Sequence, residues 1–200
     1  MRFKLFGTEI SVSFLFYAVI AIMIICDRSG LALPVLLACF LHEVSHLAAM
    51  RLSGVNPKKI KLIPAGALII CPFFTGKKNE AFIAASGPVS NLIAAGLFYA
   101  VYRFFGWEYA FLMCSVNAVT GIFNLMPLAG LDGGTLLILL LCRFGISRER
   151  AGAAVRIITV VFAAFLLFLC VFVLIGKNFN ISLFILAVYL FICVFLSHDI

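Results

Sequence analysis

The stretch LALPVLLACFLHEVSHLAAM, residues 31–50, is the most informative part of this chain. It is as long as the roughly 20 consecutive apolar residues that a helix needs to cross a bilayer. His42, Glu43 and His46 nevertheless lie inside it. Because an ionisable group at the centre of a membrane span costs about 3 kcal/mol on insertion scales, such groups usually serve a function. The stretch therefore predicts a membrane helix that carries a reactive site.

The composition extends this prediction to the whole chain. Of its 200 residues, 65% are hydrophobic and 12% are charged. A soluble chain of this size cannot bury so much apolar surface, and disordered chains are poor in such residues. The net charge is +7; since a basic excess in membrane proteins lies in cytoplasmic loops, nucleic acid is not an expected partner. The seven cysteines include no C-x-x-C pair and are interpreted as small apolar residues.

Apolar segments of spanning length predict an all-α polytopic membrane protein. They lie at 10–26, 31–50, 81–102, 108–127, 153–175 and 180–197. None has the period-two alternation of a barrel strand. No small-x-small cleavage site follows the first segment, which is therefore expected to be a retained helix. We expect six transmembrane helices in a single domain over residues 1–200.

The distribution of charge predicts the orientation of these helices. Six spans place both termini on one side, where twelve basic residues fall, whereas three fall on the other side. The three are Arg28, Arg103 and Lys177, and the twelve are Arg2, Lys4, Arg51, Lys58, Lys59, Lys61, Lys77, Lys78, Arg143, Arg148, Arg150 and Arg156. Since positive residues concentrate in cytoplasmic loops, both termini are expected to be cytoplasmic.

The segment between the second and third spans is expected to return to the side it left. Its centre, residues 60–72, is apolar but interrupted by proline and glycine, and both flanks are basic. This pattern predicts a small re-entrant or membrane-surface β-hairpin. An ordinary cytoplasmic loop is the alternative.

The motif HEVSH, residues 42–46, has the spacing of a zinc site. His42 and His46 lie on one helical face a turn apart, so two neutral imidazoles can bind one metal ion. Glu43 could reach a zinc-bound water and take its proton as general base. The alternative is a buried polar cluster that only stabilises helix packing.

A catalytic zinc site needs a third protein ligand, and Asp132 is the favoured candidate. It lies in NLMPLAGLDGG, residues 124–134, which is predicted at the same cytoplasmic depth as HEVSH. The weaker candidates are the terminal His198, the helix-start residues Glu80 and Glu108, and Asp27 in an outer loop. Taken alone, Asp132 would be interpreted as an Asp in a glycine-rich turn.

These motifs resemble those of the site-2 proteases, which are intramembrane zinc metalloproteases. The family signature is H-E-x-x-H with N-x-x-P-x-x-x-L-D-G, and SGPVSN, residues 86–91, is similar to its G-P-x-x-N element. The resemblance covers roughly residues 10–197 and implies one zinc ion per chain. By motif position, His42, His46 and Asp132 would be the ligands and Glu43 the base. Asn124 would bind the substrate backbone or the developing oxyanion, although a helix–helix hydrogen bond is its alternative role.

The resemblance also implies the substrate and the location. It implies a membrane-embedded or membrane-tethered protein substrate, a regulatory membrane partner, and a multi-pass protein of a bacterial plasma membrane with its active site toward the cytoplasmic half. The six-helix layout is similar to the stage IV sporulation protein FB branch, which implies a sigma-factor precursor, or an anti-sigma factor, as substrate. Neither a PDZ nor a CBS domain is expected. The segment 60–72 looks like the family's membrane-embedded sheet, but it contains PAGA at 64–67 where two glycines are expected.

Two other functions fit parts of the pattern. One is a catalytically silent, zinc-containing membrane protein that binds clients without cutting them; the intact Glu43 argues against it. The other is a divalent-metal transporter, which would place its ligands at the midplane and usually show repeats. Four further polar residues could line a water path or join helices, namely Ser90, Asn91, Asn117 and Thr120.

Overall fold

The computed structural model describes residues 2–5, 8–55, 57, 59–63, 66–70 and 77–175. The predicted span at 180–197 and His198 lie outside the described residues. So do several positions of the segment 60–72.

Six helices account for most of the described chain. They are α1 (Phe14–Cys26), α2 (Ala32–Leu52), α3 (Lys77–Phe105), α4 (Glu108–Asn124), α5 (Asp132–Arg143) and α6 (Arg148–Ile175). Five of them coincide with predicted spans, but α5 was not predicted as a helix. The first helix begins at Phe14 rather than at residue 10, because residues 10–12 belong to a strand.

Within the described residues, four short strands form one sheet. They are β1 (Arg2–Leu5), β2 (Thr8–Val12), β3 (Lys59–Ile63) and β4 (Gly66–Ile70), in that spatial order. The pairs β1–β2 and β3–β4 are antiparallel, whereas β2 and β3 are parallel. Strands β3 and β4 fall in the segment for which a hairpin was predicted, and its position relative to the membrane stays a prediction. Strands β1 and β2 were not predicted from the sequence.

Three of the described helices are long and apolar enough to cross a membrane. They are Ala32–Leu52, Asn79–Phe105 and Arg148–Phe172, while α1 is apolar but shorter. Many large apolar side chains point outward; Phe14, Ile25 and Phe104 each expose more than 80% of their surface. In water this exposure would be unfavourable, whereas a lipid environment solvates it.

The chain divides into two compact units, with the boundary between Phe123 and Asn124. In the first unit α2 packs against α3, and Ala49, Met50, Val55 and Ile83 form a small buried core near the end of α2. In the second unit α5 packs against α6.

Candidate metal centre

Helix α2 brings its two histidines together as the spacing predicts. His42 and His46 are one turn apart, and each exposes less than a tenth of its surface. Their Nε2 atoms are 3.1 Å apart, and the rings meet edge to face with centroids 4.7 Å apart. Two imidazole nitrogens therefore converge on one buried point.

The outer nitrogen of His46 is held by the backbone of α3. Its Nδ1 lies 2.7 Å from the carbonyl oxygen of Ile83. Because a carbonyl can only accept a hydrogen bond, Nδ1 carries the proton and Nε2 presents a lone pair. The Ser86 hydroxyl donates to the same carbonyl at 2.7 Å and lies 3.2 Å from Nδ1.

The outer nitrogen of His42 is held by an amide side chain of α3. Its Nδ1 lies 2.8 Å from Oδ1 of Asn91, which is completely buried. The amide nitrogen of Asn91 donates to the carbonyl of Ala38 at 3.0 Å, which identifies the atom facing His42 as the oxygen. His42 therefore also carries its proton on Nδ1, and its Nε2 presents a lone pair.

This pair of tautomers fits a metal ion. Two Nε2 lone pairs that face each other at 3.1 Å repel unless a cation lies between or beside them. Metal-binding histidines typically donate their other ring N–H to a carbonyl or carboxylate, which sets tautomer and ring orientation. Both histidines have such a partner, so the donors of this chain fit a divalent metal.

Gly87 on α3 leaves space beside the two nitrogens. A Cβ at this position would lie 2.5 Å from Nε2 of His46 and 2.7 Å from Nε2 of His42. Any side chain at residue 87 would therefore enter the place where the two lone pairs converge. The glycine of the G-P-x-x-N element keeps this place accessible.

Asp132 is the first residue of α5 and is half-buried. The preceding loop folds back onto the first turn of α5: a Cβ on Gly133 would overlap the carbonyl of Leu125, and one on Gly134 would overlap that of Leu128. The two glycines after Asp132 therefore permit a close backbone contact.

A buried threonine fastens this loop within the second unit. The Thr159 hydroxyl on α6 donates to the carbonyl of Val155 at 2.7 Å and accepts from the backbone N–H of Ala129 at 2.8 Å. Gly130 completes the loop with a φ of 84°, which favours glycine, in a turn closed by the hydrogen bond from Leu131 N to Leu128 O. Asp132 is thus positioned by backbone packing.

Curated relatives and a solved structure resemble this chain, whereas no family model matches it. Zinc metalloprotease MJ0392 of Methanocaldococcus jannaschii is 27% identical over 147 residues, covering 68% of this chain and 43% of the relative. Rip3 of Mycobacterium tuberculosis, whose name assigns it provisionally to the zinc metalloproteases, is 28% identical over 148 residues, covering 66% and 38%. This chain thus spans about two fifths of the length of these curated relatives.

The fold likeness covers nearly the whole chain. The solved structure is a site-2 protease from Methanocaldococcus jannaschii, with a TM-score of 0.74 over 98% of this chain and 94% of that chain, at 23% identity. The chain thus resembles site-2 proteases in fold and zinc metalloproteases in sequence. The three long apolar helices and these similarities support an integral membrane protein.

The two remaining predicted residues lie on α2 and at the end of α4. Glu43 follows His42 on α2 and is half-buried. Asn124 is the last residue of α4 and is also half-buried. Their catalytic roles stay predictions of the family motifs.

The weaker ligand candidates within the described residues lie at the starts of helices. Glu80 and Glu108 lie in the first turns of α3 and α4, where a carboxylate interacts favourably with the helix dipole. Asp27 accepts hydrogen bonds from the backbone N–H of Ala32 at 2.8 Å and from both the hydroxyl and the N–H of Ser29. These hydrogen bonds lower the pKa of Asp27 from 3.8 to about 2, and the bond from Ala32 has the largest effect. Asp27 thus caps the start of α2.

Several supporting groups of the site were not predicted from the sequence. The Ile83 carbonyl and the Ser86 hydroxyl had no assigned role, and Thr159 was not considered. A carbonyl has no sequence signal of its own. The G-P-x-x-N element was the available signal for Gly87 and Asn91.

Proposed function

We propose that this chain is an intramembrane zinc metalloendopeptidase of the site-2 protease type. In this proposal His42, His46 and Asp132 bind one zinc ion, each through one ligand atom. The observation that carries it is the convergence of two buried Nε2 lone pairs at 3.1 Å, with both Nδ1 atoms engaged elsewhere. The names of the relatives support zinc as the metal.

In the proposed reaction, the bound zinc and two side chains have separate roles. Zinc, when bound, supplies the Lewis acidity that activates water and polarises a peptide carbonyl. Glu43 accepts the proton of the attacking water and later returns a proton to the leaving amine. Asn124 donates an amide N–H to the carbonyl oxygen, where negative charge develops. The buried surroundings of the histidines strengthen these electrostatic interactions.

The substrate is a membrane-embedded or membrane-tethered protein. A helical substrate must unwind near the cut, because a helix engages its own carbonyls. Strand β4 lies at one edge of the described sheet, and an extended segment could add to it through main-chain hydrogen bonds. The resemblance to the sporulation branch supports a sigma-factor precursor or an anti-sigma factor, and a regulatory membrane partner.

The proposed topology has six spans, both termini in the cytoplasm of a bacterium, the site toward the cytoplasmic half, and one domain over residues 1–200. The parallel pairing of β2 with β3 supports the placement of the N-terminus and the segment after α2 on one side. This pairing holds the strand before α1 and the strand after α2 at the same end of the α1–α2 pair. Arg2, Lys4, Lys59 and Lys61 lie in this sheet, which agrees with an excess of positive charge on one side.

A single substitution tests the activity. Glu43→Gln keeps the size of the side chain but cannot accept the proton, so the purified protein should retain about one zinc per chain and lose at least 100-fold in cleavage of a membrane-tethered reporter. Glu108→Gln at the exposed start of α4 is the matched control and should cleave normally. Zinc is counted by mass spectrometry.

The outcomes separate the proposal from its alternatives. Asp132→Ala should lose zinc as well as activity. A Glu43→Gln protein that still cuts at the normal rate would contradict the proposed base. A wild-type protein that binds zinc but never cuts a reporter would favour the silent binding protein, and zinc flux into vesicles that survives Glu43→Gln would favour a transporter.

A further inference from the structure

Behind Asn91 lies a second buried amide, Asn117 on α4, whose surface is 1% exposed. Its amide nitrogen donates to the carbonyl of Met113 at 2.8 Å. Because that carbonyl can only accept, the amide oxygen of Asn117 must face away from it. The oxygen accepts a hydrogen bond from the amide nitrogen of Asn91 at 2.9 Å.

The two amides thus form a directed chain of hydrogen bonds. Asn91 uses its two N–H groups on the carbonyl of Ala38 and on Oδ1 of Asn117, at 3.0 and 2.9 Å. Only its oxygen remains for His42, 2.8 Å away. Main-chain carbonyls of α2 and α4 therefore determine the polarity of both amides, and through them the tautomer of His42.

His42 and His46 differ in the kind of group that accepts the hydrogen bond from Nδ1. A main-chain carbonyl holds Nδ1 of His46, and it cannot reverse its polarity. A side-chain amide holds Nδ1 of His42, and a half rotation would present N–H groups instead of the oxygen. That rotation would favour the wrong tautomer of His42, with its lone pair on Nδ1. The rotation would also place the Asn91 oxygen against the Ala38 carbonyl and the Asn117 oxygen. The repulsion between these oxygens raises the free energy of the rotated state.

We infer that Asn117 is a positioning residue: it acts through Asn91 to keep the Nε2 lone pair of His42 directed at the metal. The inference rests on the proposed zinc site and deepens it. The side chain of Asn117 bonds to Asn91 and to the carbonyl of Met113, so its effect on His42 passes through the amide of Asn91. Partners of metal-binding histidines typically contribute about 10- to 100-fold to metal affinity.

The first test is zinc affinity, measured by competition with a chromophoric chelator on the full chain in detergent. Asn117→Leu has a similar volume but no acceptor, and we expect it to weaken zinc binding about 10-fold. Asn117→Asp should bind within about threefold of wild type, because a neutral carboxyl group at this buried position can still donate to Met113 and accept from Asn91. Ser115→Ala, on the same helix, removes a hydroxyl that bonds within α4 and should change nothing.

A double-mutant cycle separates positioning from general stability. Asn91→Leu should weaken zinc binding at least as much as Asn117→Leu, and combining the two should add little, since the second acts through the first. Ser86 lies next to the other histidine, His46, so the effects of Ser86→Ala and Asn117→Leu on the free energy of zinc binding should be additive. The visible spectrum of the Co(II)-loaded protein should change in Asn117→Leu and return toward wild type in Asn117→Asp. If Asn117→Leu does not fold, Asn117→Ala takes its place.

Three results would overturn the inference. The first is wild-type zinc affinity in a folded Asn117→Leu protein. The second is equal loss in the Leu and Asp variants, which would indicate a packing role. The third is full additivity of Asn117→Leu with Asn91→Leu. Each leaves the proposed function intact if the wild type binds zinc, whereas a folded wild type without zinc affinity would contradict the proposed function itself.

Discussion

The two units hold their predicted ligands in different ways. In the first, the side chain of Asn91 on α3, itself bonded to Asn117 on α4, holds Nδ1 of His42, and a main-chain carbonyl holds Nδ1 of His46. In the second, Asp132 follows a loop that is fixed by glycine contacts and the hydroxyl of Thr159. Changes to the first unit should therefore alter metal affinity before stability, whereas changes to the second should alter stability first.

The largest effect is expected from Gly87→Ala. The added methyl group would lie 2.5 to 2.7 Å from the two Nε2 atoms, so it competes directly with a bound metal. We expect zinc content to fall from about one per chain to near zero while the protein still folds. Gly96→Ala on the same helix is the control, because a Cβ there meets nothing within 4 Å. Normal zinc content in Gly87→Ala would refute the assigned metal position.

Gly134→Ala tests the other side of the comparison. The methyl group would overlap the carbonyl of Leu128, so the loop before α5 must move, and we expect the free energy of unfolding to fall by about 1–3 kcal/mol. Gly152→Ala on α6 has open space and serves as the control. Denaturant unfolding in mild detergent measures both. Equal stability of the two variants would show that the loop contact is unimportant.

Thr159→Val should have a somewhat smaller effect on the same loop. Valine has the same shape but leaves the buried N–H of Ala129 without its acceptor, which costs about 1–2 kcal/mol. Thr159→Ser keeps the hydroxyl and should retain most of this stability. If the Val and Ser variants unfold at the same denaturant concentration, the hydrogen bond does not hold the loop.

The smallest expected effect lies at the start of α2, outside both ligand regions. The pKa of Asp27 is lowered to about 2 from 3.8, so its ionised form stabilises the fold above pH 4, and this stabilisation is lost as the pH falls through about 2. Asp27→Asn should therefore lower the thermal midpoint slightly at pH 6, and the difference should disappear near pH 2. A difference that does not vary with pH would contradict the charged cap.

Local spacing accounts for the part of the site that the sequence predicted. A four-residue separation on a helix brings His42 and His46 together, and the motifs around them led to the resemblance to site-2 proteases, which the comparisons support. The Nδ1 partners could not be predicted, since Ile83 and Asn91 are 37 and 49 positions away from the histidines they bind. Such contacts depend on how helices pack.

The fold shows the same division between local and distant information. Apolar runs predicted five of the helices, whereas α5, Asp132–Arg143, is shorter than the length by which spans are recognised. The strands β1 and β2 were missed because Thr8–Val12 continues into an apolar run and pairs with residues far along the chain.

The parallel pairing of β2 with β3 has a consequence for biosynthesis. Glu9 pairs with Lys59 in the ladder, and their side chains form an ion pair at 3.6 Å. A ribosome makes β2 before α1 and α2, so β2 must wait for both helices to be translated before its partner strand exists. Long-range strand pairing is slow because a large loop must close first. The four-stranded sheet can therefore be completed only after the HEVSH helix has been synthesised, and the pairing of β2 with β3 marks the completion of the α1–α2 pair.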